Sequence, residues 1–213
     1  MDIYWYGQSC FRIKGRTATI LIDPFAPEFI GLKLPKDLEA DIVLSTHNHK
    51  DHNNTAAVGG NPLVVTGPGE YEKSGVSIAG VGTYHDNQSG VQRGANTIYH
   101  LLIDGVNIVH LGDLGHVLTE EQASQIDATD ILMVPVGGLY TIDAEAAAQV
   151  VSQLEPRIII PMHYKIPGLT TDLAEVDPFL KEMGAEGVQG VSKLTVTKDK
   201  LPEEPAVVLL AKS

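Results

Sequence analysis

Cysteine is nearly absent from this chain of 213 residues. Cys10 stands alone, so no internal disulfide can form and nothing calls for an oxidising compartment. Long apolar runs are also missing: none approaches the ~20 residues that cross a bilayer, and no membrane insertion is expected. The opening Met1-Asp2-Ile3-Tyr4 carries neither the basic segment nor the apolar stretch of a secretory signal, so a cytoplasmic location is the expectation. Positive charge is scarce. Fifteen Lys plus Arg face 27 Asp plus Glu, and the net charge of −12 repels nucleic acid and anionic lipid wherever cations do not cluster. No nucleic-acid partner is therefore expected. Repeats, low-complexity tracts and Pro/Gly-rich linkers are missing as well, and a chain of this length buries one core well and two poorly. One domain over residues 1–213 is the expected organisation.

What is present is a series of short apolar runs punctuated by Gly and Pro. Residues 3–6, 11–13, 18–22, 42–46, 63–66 and 76–81 read as strands. Residues 97–103 and 106–111 read as a hairpin closed by Asp104-Gly105. Beyond them the pattern alternates. Thr119-Glu120-Glu121-Gln122 is a capping-box signature for a helix, residues 131–136 a strand, and Asp143 an N-cap for an Ala-rich helix to about residue 154. A strand at 157–161, a helix at 177–183 and strands at 194–197 and 206–211 complete the reading. Gly67-Pro68-Gly69-Glu70-Tyr71 reads as a strand connection whose Glu70 reaches towards the site rim. Strands that first meander and then interleave with helices predict an α/β fold of sheet layers with helices outside.

The chemistry concentrates in His47-Asn48-His49-Lys50-Asp51-His52, directly after an apolar strand. Loops at the carboxyl ends of buried strands are where such folds place ligands. In an extended loop His47 and His49 share a side and can grip one ion, while a turn at Asp51 and His52 can present both to a second. Imidazole and carboxylate without thiolate suit Zn²⁺, and also Mn²⁺ or Fe²⁺. His85, Asp113 and His163 each follow a further apolar run and can converge on the same edge.

This set, His-x-His-x-Asp-His followed by a distant His, a Gly-Asp and a final His, resembles the metallo-β-lactamase superfamily. Asp23 in Leu21-Ile22-Asp23-Pro24-Phe25 matches the superfamily's first motif, and the likeness spans essentially the whole chain. It is nearest to the compact Zn-dependent hydrolases similar to ascorbate-phosphate lactonase and N-acylphosphatidylethanolamine phospholipase D. The resemblance implies a four-layered αβ/βα sandwich with two divalent metal ions at one edge. One ion would be held by His47, His49 and His85, the other by Asp51, His52 and His163, with Asp113 between them. Asp23 would accept the hydrogen bonds that steady the ligand loop. The implied activity is hydrolysis of an ester, lactone or phosphoester of a small molecule by a bridging hydroxide, which Asp51 would also orient. One departure stands out: Gly7-Gln8-Ser9 replaces the Gly-His-Ser frequent in that branch, and Gln neither titrates nor binds metal well.

Other residues invite roles around that centre. His116, three residues past Asp113, is a candidate to protonate the leaving group or hold an anion; the alternative is a loop histidine bonded to backbone. Lys165, Arg93 and Asn96 are candidate substrate donors, against solvated surface charge. His100 and His110 lie in strands and read as structural. The loop 24–36, with Phe25, Phe29, Ile30 and Leu32, either covers the site or covers core, and its apolar residues leave a homo-oligomer open. Three rival readings are a nucleic-acid phosphodiesterase, a di-iron redox enzyme and a non-catalytic metal-binding module. The first lacks an inserted domain and positive charge. The second would carry Glu where this chain has His49, and the third sits poorly with a complete ligand set.

Overall fold

In the computed structural model, which describes residues 1–213, the period-two side-chain pattern of the early strands decides which face meets which core. Strands β1 (Asp2–Gly7), β2 (Cys10–Lys14) and β3 (Thr19–Ile22) run antiparallel, with Trp5 opposite Phe11 and Phe11 opposite Ile22. Strands β4 (Ile42–Leu44) and β5 (Leu63–Val65) then add in parallel to β3. Ile20, Ile22, Ile42 and Leu44 join the main core, whereas Leu21 and Val43 turn to the opposite face and join a smaller one. Both faces of these strands are covered, which is why they read as continuous apolar runs.

The second sheet begins as an antiparallel meander of β6 (Gly69–Lys73), β7 (Val76–Tyr84), β8 (Ala95–Ile103) and β9 (Val106–His110). It continues in parallel through β10 (Ile131–Pro135) and β11 (Ile158–Met162). Two-residue strands β12 (Leu194–Thr195) and β13 (Ala206–Val207) finish one edge of each sheet, giving six strands in the first and seven in the second. Trp5, Phe11 and Tyr99 are among the largest fully buried side chains of the core that joins the two sheets. The result is a mixed α/β sandwich of two sheets, mostly strand with few helices, in keeping with the expected layered architecture.

Its outer layers are unequal. On the second sheet, α3 (Ala144–Leu154) packs against β10 and against α4 (Asp177–Glu182). Ala147, Val150, Val151 and Leu154 supply its buried stripe, and the Asp143 carboxylate caps it by accepting the Ala146 N–H at 3.0 Å. Helix α2 (Glu120–Ser124) carries the expected capping box of Thr119 and Gln122. The first sheet's outer face is covered instead by the 24–36 segment, whose only regular element is the single turn α1 (Pro27–Ile30). Phe25, Ile30 and Leu32 of that segment are buried in the smaller core, so they are not free to drive self-association. Phe29 alone turns outwards, 53% exposed. No helix is long and apolar enough to cross a membrane.

One element departs from the expected strand connection. Residues 69–73 form the edge strand β6, not a turn, because an edge strand held by backbone pairing to β7 needs only Tyr71 as an apolar anchor. Glu70 consequently lines a groove with His100 and Leu102 on the outer face of the second sheet and does not line the cleft where His49, His85 and His163 gather.

The two phenylalanines of the 24–36 segment should separate core from surface. Phe25→Ala is expected to lose about 3–5 kcal/mol in urea unfolding. Phe29→Ala should stay within about 0.5 kcal/mol of wild type.

Candidate metal centre

Strands β3, β4, β9, β10 and β11 deliver their carboxyl ends to one edge of the sandwich, and the chain turns sharply there. Asp23, directly after β3, and His163, directly after β11, both take left-handed backbone, with φ of 48° and 52°. Gln8, just after β1, does the same at 52°. Such conformations are uncommon for non-glycine residues and are held by surrounding contacts. Glycine serves where backbones nearly touch. A Cβ on Gly115 would lie 2.2 Å from Asp86 N, and one on Gly137 would lie 2.1 Å from the His163 carbonyl oxygen.

Asp23 is fully buried and organises the ligand loop. Its Oδ1 accepts the Thr46 N–H at 2.8 Å, and its Oδ2 accepts both the Thr46 hydroxyl and His52 Nδ1–H, each at 2.8 Å. The single Thr46 hydroxyl proton is thereby committed, so the 3.0 Å contact between Thr46 Oγ1 and His47 Nδ1 is a donation from His47. Both imidazoles are thus held with the proton on Nδ1 and the lone pair on Nε2. Both Nε2 atoms are buried without a hydrogen-bond partner.

Those atoms belong to two adjoining donor groups. His47, His49 and His85 form one; Asp51, His52, Asp113 and His163 form the other, and within each group the ligand atoms lie within 4.8 Å of one another. Asp113 Oδ2 stands 3.2 Å from His52 Nε2, 3.2 Å from His163 Nε2 and 3.3 Å from His85 Nε2, touching both groups. Its Oδ1 accepts the Ser9 hydroxyl at 3.3 Å.

Charge in this pocket is strongly polarised. Burial, helped by His52, pushes His47 down to about 2, so it is a neutral donor. His52 is driven well above its ordinary value: burial opposes its cation, but the carboxylates of Asp113, Asp23 and Asp51 outweigh burial. Asp113 is held well below the carboxylate range because His163 and His52 overcome the penalty of its own burial. Carboxylates that favour a positive charge at His52 Nε2 favour a divalent cation there in place of the proton. Orphaned imidazole lone pairs, convergent carboxylates and no thiolate therefore fit a metal ion.

The structure redistributes the other candidates. Asn96 is fully buried and cannot meet substrate. Its amide donates to Thr83 Oγ1 (2.8 Å) and the Leu111 carbonyl (2.9 Å), while its Oδ1 accepts the Asp113 N–H (3.0 Å). It positions the Asp113 loop. Lys165 is tied to Asp172 at 2.7 Å on the surface and does not line the cleft. His116 does not line it either; its Nδ1 donates to the Val117 carbonyl at 2.8 Å and its ring lies beside Tyr84, as for a loop histidine bonded to backbone. Arg93 does line the cleft. Gln8, in the place of the branch's usual His, has its amide nitrogen 2.8 Å from His163 Nε2 and donates to Asp51 Oδ2 at 3.2 Å, linking two members of the second group.

His110 is structural in a specific way. Its Nε2–H donates to the Ser9 carbonyl at 2.9 Å and its Nδ1 accepts the Gly112 N–H at 3.1 Å, bracing both sides of Asp113. Asp86 was missed by sequence reasoning, where it is only the neighbour of His85. Its carboxylate accepts the N–H groups of Gln88 (2.8 Å), Gly90 (2.9 Å), Gln92 (2.9 Å) and Arg93 (2.7 Å), winding the 86–94 loop around itself. Against a desolvation cost, these donors hold its carboxyl down at about 2. The loop's anchor is present above the ordinary carboxylate pKa and is lost only as pH falls through that lower value.

Residues 2–163 match the family model described as a beta-lactamase superfamily domain. A UPF0173 metal-dependent hydrolase of Thermoplasma volcanium is 31% identical over 201 residues, covering 84% of this chain and 88% of the relative. Another, of Thermococcus onnurineus, is 31% identical over 202 residues, covering 82% and 90%. A crystal structure from Thermotoga maritima, described as a Zn-dependent hydrolase of the metallo-beta-lactamase superfamily, is 38% identical with a TM-score of 0.81 over 98% of this chain and 97% of the other. The chain belongs to the metallo-β-lactamase superfamily and, within it, to the UPF0173 metal-dependent hydrolases.

Removing the Asp23 carboxylate should cost about 10–100-fold in metal affinity although every ligand residue remains. A chelator-competition titration of Asp23→Ala against wild type measures it, and equal affinities would exclude the relay through Thr46 and His52. Asp86→Asn should speed amide hydrogen exchange at Gln88, Gly90, Gln92 and Arg93 by about tenfold or more. Its metal content should not change.

Proposed function

We propose that this hydrolase works with two divalent cations and cleaves an ester, lactone or phosphoester bond of a small molecule. One ion would be held by His47, His49 and His85, the other by Asp51, His52 and His163, with Asp113 shared. The observation that carries this reading is Asp113 Oδ2, which stands 3.2–3.3 Å from imidazole nitrogens of both donor groups. Zn²⁺ is the ion proposed first, because the donors are imidazole and carboxylate and because the Thermotoga maritima relative is described as Zn-dependent. Bound there, such a pair supplies an acidified water and a Lewis acid for the substrate oxygen.

The chain's own groups do the rest. Asp51, whose Oδ2 accepts the Gln8 amide at 3.2 Å, would take a hydrogen bond from the attacking water and so aim it. The polar cleft above the histidines, about 520 Å³ in volume and floored by His49, Asp51, His85, Asp113 and His163, is the substrate's place. Its size suits a small molecule.

Elemental analysis of protein purified with Zn²⁺ should find about two equivalents per chain, with hydrolysis of at least one ester, lactone or phosphodiester in a panel. His49→Ala and His163→Ala should each lose about one equivalent and about 100-fold or more in kcat/KM. Full turnover by chelator-stripped protein, or a single equivalent in wild type, would sink the two-ion reading.

A further inference from the structure

We propose that Lys50 and Arg93 form an anion-recognising rim over the metal centre, so that the natural substrate carries a carboxylate or phosphate group in addition to its scissile bond. This rests on the hydrolase reading of the site and names the class of molecule that the site takes.

The cleft has thirteen lining residues, and its only carboxylates, Asp51 and Asp113, lie on its floor among the metal-ligand candidates. Its only permanent cations are Lys50 and Arg93. Neither lies within ion-pair distance of a carboxylate, so both charges stay free at the cleft. On a chain of net charge −12, leaving both cations unpaired beside the same cleft opens it to a negatively charged group.

Each cation is also backed by a ring. Lys50 Nζ lies 6.0 Å from the Phe29 ring centroid, and the Arg93 guanidinium lies 5.2 Å from that of Tyr140. Ring contact limits where a long side chain can wander and so lowers the entropy lost on binding. Both rings are partly exposed and line the cleft, Phe29 at 53% and Tyr140 at 42%. They give the rest of the substrate an apolar flank.

The supports are built into the backbone. Phe29 is fixed by the 165–175 segment, where Thr170 N–H donates to the Ile30 carbonyl at 3.0 Å and Thr170 Oγ1 to the Phe29 carbonyl at 3.3 Å. Arg93 sits on the loop wound around Asp86, its own N–H held at 2.7 Å. Its Nη2 donates to the Leu139 carbonyl at 3.4 Å, and the remaining guanidinium donors are free for a bidentate acceptor. The Lys50 carbonyl accepts the Ala26 N–H at 2.9 Å, a backbone bond that a side-chain substitution leaves in place.

Three 4-nitrophenyl esters of matched length test the rim on metal-loaded enzyme: hexanoate (neutral), the adipate monoester (carboxylate) and 5-phosphonopentanoate (phosphonate). Wild type should prefer an anionic ester to the neutral one by about tenfold or more in kcat/KM, mainly through KM. In the Lys50→Met/Arg93→Met double variant that ratio should fall by about tenfold, with metal content as in wild type. The favoured anionic ester tells a carboxylate substrate from a phosphorylated one. A neutral preference in wild type, or a ratio that survives the double variant, would overturn the proposal. Calorimetric binding of adipate and of butylphosphonate separates this idea from the hydrolase reading. If none of the three esters turns over but anion binding still weakens about tenfold in the variant, the rim stands and it is the ester-cleaving form of the hydrolase reading that fails. Equal binding by both proteins refutes the rim.

Discussion

A buried carboxylate that accepts three hydrogen bonds holds this protein's working edge together. Asp23 has no exposure to solvent, and an ionised group in that position is tolerated only when its partners are complete. Thr46 supplies two donors and His52 a third, while the Asp23 N–H reaches the Leu44 carbonyl at 2.8 Å and ties the end of β3 to that of β4. Two imidazoles have their tautomers chosen by this arrangement, one directly and one through a threonine hydroxyl. The loop 47–52 is therefore shaped by hydrogen bonds to Asp23 and Thr46.

The second sheet makes the matching contribution, and the two are stitched together at the site. Thr97 N–H donates to the Thr46 carbonyl at 2.9 Å, Tyr99 OH to the Ser45 carbonyl at 3.0 Å, and His163 N–H to the Gln8 carbonyl at 3.1 Å. Asn96, Ser9 and His110 then hold Asp113 from three sides. Donors from separate strand ends converge because the backbones carrying them are bonded to one another. Gly115 and Gly137 mark where that approach is too close for a side chain.

The unequal outer layers give the cleft its walls. Where a long helix could have covered the first sheet, the 24–36 segment divides its aromatic residues, sending Phe25 into the core and Phe29 to the cleft. On the other side, the Asp86-centred loop carries Arg93 to the same opening. Loops on a rigid sandwich can vary in this way without disturbing the ligand edge, consistent with one fold serving many substrates.

Much of this was legible in the chain. Strands with both faces buried, the Asp104-Gly105 hairpin, the Thr119 and Asp143 caps and the six-residue histidine run are all local signals, set by side-chain period, turn chemistry and residue spacing. Strand β6 escaped because backbone pairing, which has no side-chain signature, makes it. The sequence by itself determined the sheet-rich α/β class and the residues able to bind metal, since period and donor chemistry belong to single residues and their neighbours. Only the tertiary structure decided that Asn96 braces Asp113 instead of meeting substrate, that Lys165 and His116 stay out of the cleft, and that Lys50 joins Arg93 at its rim. Those roles depend on distances between residues far apart in the chain, and such distances exist only once the two sheets have packed.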